Sequence, residues 1–319
     1  MEALFSIFTN PSFWFGVLRS TTPILFAAMA ALIAARAGIT NMALEGIMLF
    51  GALFAVIGSW LTQSAWIGLL FSIGIAVLLS LLLAYFKIKM KADVILAALA
   101  INLLASGLTV FIMYLLTGEK STSAALASKV LPVVHIPLIK DIPFIGEVVS
   151  GQNILVYLAF VAVGIMHFLL FKTPLGLRIR SVGGNFHAAE SVGVSVHKTQ
   201  YIALIISGIN AGFAGAFMSM GYMTVFTRGM TAGRGYIALA ASNVGGRAPI
   251  GSMLASILFG FFDSMGNNLQ RFAIPPEFIY MIPYIATIVM FTVYSYRQKT
   301  EKQRKSAKLL KEEKQQGAA

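Results

Sequence analysis

The chain has 319 residues, 58% hydrophobic and 11% charged, with a mean hydropathy of +0.81. A soluble domain carries about a quarter charged residues, so this balance excludes one and points to the bilayer. The formal charge of +12 is gathered into clusters between apolar runs, a placement that argues against nucleic acid as the partner, and with no cysteine there is neither a disulfide framework nor a thiolate metal site.

In chain order, the first apolar run covers residues 13–35. It is long enough to span the bilayer, which takes about 20 residues. No basic segment precedes it, so it reads as a span and not as a cleavable signal peptide. Arg36, Asn41 and Glu45 then bracket a turn framed by Gly38 and Gly46. Unwound backbone at membrane depth is tolerated only where it is buried in protein or lines a cavity, so this is a candidate structural or gating turn. Arg36 either snorkels to lipid phosphates or pairs with Glu45; Glu45 alternatively receives backbone donors at a helix start. Runs at 47–60, 65–86 and 94–117 follow, with Lys87, Lys89 and Lys91 before the last of them and Asn102 within it. The loop 118–152 balances Lys120, Lys129 and Lys140 against Glu119, Asp141 and Glu147.

After a run at 154–171 comes a basic loop, 172–200, with Lys172, Arg178, Arg180 and Lys198. Thr173 and Pro174 mark a helix start, Gly183 and Gly184 a break, and Asn185 the cap of a second short helix over 186–192 that Gly193 closes. Its face of Ala188, Ala189 and Val192 is small and smooth, suited to a groove on another protein, although an ordinary interfacial helix has the same look. The run 201–222 holds Asn210 between Gly208 and Gly212, a G-x-x-x-G spacing that predicts close helix packing. Residues 236–263 are apolar but interrupted by "NVGGRAPIG", which predicts a broken re-entrant pair or two short spans, with Asn243 inside it. A last run covers 278–296, and 297–319 form a charged tail that is solvated or lies on anionic lipid.

Basic loops stay in the cytoplasm. That rule places 87–93, 172–200 and the tail inside, and 118–152, 223–235 and 267–277 outside. The fold expected is an all-α, polytopic transmembrane helical bundle of about 8–9 membrane segments, with its N-terminus outside and its C-terminus cytoplasmic. Residues 1–296 form the transmembrane domain, with 172–200 as a cytoplasmic loop. The runs lack the alternation of barrel strands.

No P-loop, H-E-x-x-H or G-x-S-x-G motif is present, and His135, His167, His187 and His197 are scattered. No metal site and no bound cofactor are expected. Asn102, Asn210 and Asn243 fall near mid-span in three helices. An amide both donates and accepts, so these are candidates for a translocation path. Helix-to-helix hydrogen bonds, at about 0.6 kcal/mol on average in membranes, are the other use for them. Asp263, near the end of its helix, faces Arg228, Arg234 or Arg271, as a structural ion pair or as a docking rim.

"TPLGLRIRSVGGNFHAAESVGV" (173–194) resembles the coupling-helix loop of permease subunits in ATP-binding-cassette importers, in the group that takes up ribose, branched-chain amino acids and nucleosides. "ARAGITNMALEGIMLFGALFAV" (35–56), "INLLASGLTVFI" (101–112) and "GRGYIALAASNVGGRAPIGSMLASILFG" (233–260) are similar to segments of the same group. The resemblance covers about residues 15–296 and is strongest to the shorter permease of bacterial nucleoside importers. It implies that Asn185, Phe186, His187, Ala188, Ala189, Glu190, Ser191 and Val192 form a coupling helix docking on a separate ATPase, with Arg178 and Arg180 touching that ATPase or lipid phosphates. It also implies that ATP and Mg²⁺ bind the ATPase, that a paralogous permease or a second copy completes the pore, and that an extracellular lipoprotein delivers substrate in a bacterial plasma membrane. Ribose or another simple sugar is the alternative cargo. An ion-coupled secondary transporter, which needs an acidic or His relay within the spans, is the alternative of another class.

Overall fold

A computed structural model describes residues 9–137 and 144–269, together with positions 285, 289, 292 and 296. Apart from those four positions, the expected span 278–296 and the tail lie outside the described residues. Helices dominate: α1 (Pro11–Arg36), α2 (Leu44–Thr62), α3 (Ala65–Ala84), α4 (Val94–Thr117), α5 (Ile145–Val149), α6 (Ile154–Lys172), α7 (Pro174–Gly184), α8 (Phe186–Ser191), α9 (Val196–Phe217), α10 (Arg234–Val244) and α11 (Pro249–Leu269). Single π-helical turns extend α3 over Tyr85–Lys89 and α9 over Met218–Tyr222. A two-residue antiparallel pairing of β1 (Val133–Val134) with β2 (Gln152–Asn153) is tucked into the 118–153 connection.

Seven of the described helices are long and apolar enough to cross a membrane. Helices α1 and α9 form the centre. Helix α1 packs against α9, α10, α11 and α6, and α9 packs against α1, α2 and α3. Gly208 and Gly212 lie against Val77 and Ile73 of α3, where a Cβ would meet backbone, so the close packing expected of that spacing is present. Helices α4 and α6 stand at the periphery. They turn Leu99, Leu103, Phe111, Val161, Ile165 and Phe168 outward, which costs nothing against lipid tails that are as apolar as leucine.

The segment 236–263 is broken where the sequence predicts, between Val244 and Pro249, but its two parts are unequal, and of the two only Pro249–Asn268 is long and apolar enough to cross a membrane. The segment is an 11-residue helix, α10, followed by a 21-residue one, α11. Asn243 and Gly245 turn the chain through Gly246 and Arg247, and Pro249 starts a helix with no further breaker until its end. The 223–235 connection also differs from a purely external loop. Its first part bonds to the 118–128 loop through Ser123 and Phe226 and through Thr122 and Thr227, but Gly233 has folded back into the bundle to reach Glu45.

The ends of the helices sort by charge. At one end Arg36 meets Arg247, Gln200 meets Ala37, and a cavity of about 440 Å³ is lined by Lys87, Lys91, Phe186 and His197. At the opposite end lie the loop contacts of Ser59 with Lys129, Gln152 with Phe15, and Ser264 with Phe13. The two basic clusters read from the sequence therefore share one face.

Candidate functional site: a broken-helix junction within the membrane

After α1 ends, the chain from Ala37 to Ala43 turns back into the bundle before α2 begins. Asn41 makes this possible. Its Oδ1 accepts from the Ala43 amide and its Nδ2 donates to Ser207 Oγ at 3.1 Å, while Ser207 donates in turn to the Ala30 carbonyl. Buried backbone that leaves a helix must find partners elsewhere, and Asn41 is wholly buried for that purpose.

Helix α2 thus starts inside the bundle, and α10 starts beside it. The two oxygens of Glu45 accept from the amides of Gly233 and Gly235, each at 2.8 Å. These amides are orphan donors of the α10 start, where the helix dipole favours a carboxylate. Of the two roles open to Glu45, the structure has the backbone one. Gly235 packs so closely on Glu45 that a side chain there would collide with its backbone. Arg36, in turn, donates through Nε to the Arg247 carbonyl at 2.6 Å, gripping the far end of α10. Its near neighbours Arg180 and Arg247 bear like charge.

Asn102 of α4 closes the junction. Its Oδ1 accepts from Gly46 N at 2.8 Å, and its Nδ2 donates to the Met42 carbonyl and to the Tyr236 hydroxyl, both at 2.9 Å. Asn243 is not near mid-span: the glycines that follow end α10 at Val244, which leaves Asn243 in its last turn, where Oδ1 accepts from Arg247 Nε. Asn210 stands apart from this pair. It is buried in α9, and its amide donates to the Ile206 carbonyl one turn back in its own helix.

Toward the opposite end, Asp263 takes Arg234, at 3.2 Å, as its partner. Arg234 and Arg19 both lie over the ring of Tyr222, 5.6 and 5.3 Å from its centroid, and Arg19 also donates to the Tyr222 carbonyl. Arg271 lies outside the described residues.

On the basic face, Thr173 caps α7 and Asn185 caps α8, the latter accepting from Ala188 N. Helix α8 ends at Ser191, one residue earlier than expected, and Val192 is its C-terminal cap. The face drawn from Ala188, Ala189 and Val192 is split. Ala189 is buried against Val182, Val194 and Val196, whereas Ala188 and Val192 are exposed. The reason is Gly193, whose left-handed conformation turns the chain so that Val194 and Val196 fold under α8. Gly183 lies on the carbonyl of Arg36, with no room for a side chain. The 172–200 loop is thereby set directly on the end of α1. Sequence reasoning missed Ser207, Tyr236 and the Gly233 and Gly235 amides, because each acts through a contact more than a hundred residues away.

Among the described residues, no three His, Asp or Glu side chains gather to hold a metal ion. Long apolar helices with two helix starts buried among them define a multi-pass membrane protein of the transport class, in which broken helices typically mark the substrate route. Residues 13–291 match the family described as branched-chain amino acid transport system/permease component, and the chain belongs to that family. The chain is 36% identical over 281 residues to the guanosine ABC transporter permease protein NupQ of Bacillus subtilis, covering 85% of this chain and 88% of that one. It is 33% identical over 289 residues to the nucleoside ABC transporter permease protein NupC of Lactococcus lactis subsp. cremoris, covering 87% and 90%. The fold is similar to that of an inward-facing ABC transporter described as of the metal-chelate type. There the TM-score is 0.51 and the identity 14%, over 90% of this chain and 85% of that one.

Proposed function

We propose that this chain is the membrane-spanning permease of an ATP-driven importer for nucleosides, seated in a bacterial plasma membrane with its basic face in the cytoplasm. The observation that carries this reading is the similarity, over 85–87% of this chain, to permeases named for nucleosides and guanosine. The chain itself performs no chemistry. A separate ATPase binds ATP and Mg²⁺ and docks on Asn185–Val192 and the basic residues around them. A second permease completes the pore, and an extracellular lipoprotein supplies the substrate. Helix α8 is short and largely exposed, and it follows α7, whose Gly183 sits on the end of α1, an arrangement that lets a push on the loop reach Arg36 and, through it, α10. Asn243 and the Asn102–Tyr236 pair face the translocation path.

The test is uptake of radiolabelled guanosine, uridine, ribose and glucose by cells with and without the gene. Nucleoside uptake falls with deletion and returns with complementation. A fall confined to ribose or glucose would replace the cargo, and uptake that persists after the ATPase is inactivated would favour an ion-coupled carrier.

A further inference from the structure

Tyr236 is 45% exposed, although its partner Asn102 lies roughly a third of the way along α4, about 12 Å from that helix's basic end. A phenol so deep in a membrane protein normally turns its hydroxyl toward a buried partner. Here the hydrogen bonding is determined by what surrounds it. The Gly46 amide can only donate, so the oxygen of Asn102 must face it, and the amino group must therefore face Met42 O and Tyr236 Oη. The Tyr236 oxygen is thus the acceptor. Its own proton has no acceptor among the described residues.

The same side of α10 carries Asn243 seven residues on, two helical turns or about 10 Å away. The oxygen of Asn243 is taken by Arg247, and its amino group has no partner among the described residues. The outward side chains next to Asn102 on α4, Leu99 and Leu103, are apolar. The unspent phenol donor at this depth is costly against lipid, and Asn243, beside Arg247 at the basic end, meets water, so the two line a route open to a polar solute from that end.

We infer that Tyr236 and Asn243 form a binding surface for the solute within this chain, with the ring of Tyr236 stacking on a nucleobase. The Tyr236 hydroxyl donates to a base acceptor, and the Asn243 amino group donates to a ribose oxygen. Asn102 is the positioning residue that fixes the ring. This rests on the nucleoside reading, and it replaces direct contact by Asn102 with contact through Tyr236.

The experiment uses the complete importer in cells lacking the native gene and measures uptake kinetics for guanosine and uridine. Wild-type uptake of either decides the nucleoside reading, and the ratio of variant to wild type decides the site. Tyr236→Phe keeps the packing and removes only the donor, raising KM roughly 2- to 10-fold with kcat within about twofold. Tyr236→Leu removes the stacking face as well, and a base stack is equivalent to roughly 5- to 150-fold, so its KM rises further. Asn102→Leu frees the ring and resembles Tyr236→Phe. Co-purification of the ATPase establishes assembly for each variant. Unchanged KM in Tyr236→Phe and Tyr236→Leu overturns the site. If Tyr236→Leu does not assemble, an unchanged KM in Tyr236→Phe alone overturns it.

Discussion

Glu45 is the residue whose environment most constrains its role. It accepts two backbone amides at the start of a helix on which it does not itself lie, so its loss strands both donors. Removing the acceptor of a buried donor costs about 1–3 kcal/mol. Glu45→Ala should lower the melting temperature of the purified permease by several degrees, whereas Glu45→Gln, which keeps one accepting oxygen, should fall between. Thermal unfolding followed by tryptophan fluorescence measures both, and an unaltered melting point for Glu45→Ala would mean that α10 holds its place by packing alone. The acidic residue itself was visible in the sequence. Its partners were not, because the amides of Gly233 and Gly235 carry no side-chain signature and lie about 190 positions away.

At the scale of elements, α8 and its neighbours separate two alanines that the sequence makes look alike. Ala189 packs under the loop against Val182 and Val196, and Ala188 is exposed. Overpacking a filled site costs about 1–3 kcal/mol. Ala189→Trp should therefore disturb the loop itself, detected as faster proteolysis at 183–195 in the isolated permease. Ala188→Trp should leave the isolated permease resistant but reduce ATPase retention on purification, with Glu190→Lys acting in the same direction. Full ATPase retention and substrate-stimulated hydrolysis in Ala188→Trp would remove α8 from the coupling role. The caps of α7 and α8 were legible because capping is local: Thr173 and Asn185 bond within three residues. The end of α10 was legible in the same way, since Gly245 and Gly246 break it, but its start was not, being fixed by Glu45 of α2.

For the whole molecule, the threading predicts which face meets which compartment. Lys129 is exposed in the loop beside Ser59, and Lys89 and Lys198 stand at the basic end. As the chain has no cysteine, single cysteines at 89, 129 and 198 can be labelled without background. An impermeant thiol reagent on intact cells should modify only position 129, and modification at 89 would invert the orientation. By itself the sequence determined that the chain crosses the bilayer repeatedly, where six of the seven long apolar helices among the described residues lie, and that Lys87 and Arg178 share a face with each other but not with Lys129. These follow from hydropathy and charge, which the solvent reads along the chain without regard to distant contacts. Only the tertiary structure decided that α2 and α10 begin inside the bundle, that Arg36 grips the end of α10, and that Tyr236 is held open by Asn102. Unwound backbone at membrane depth must find its hydrogen-bond partners on other helices, and which helices stand within reach is a property of the packed bundle.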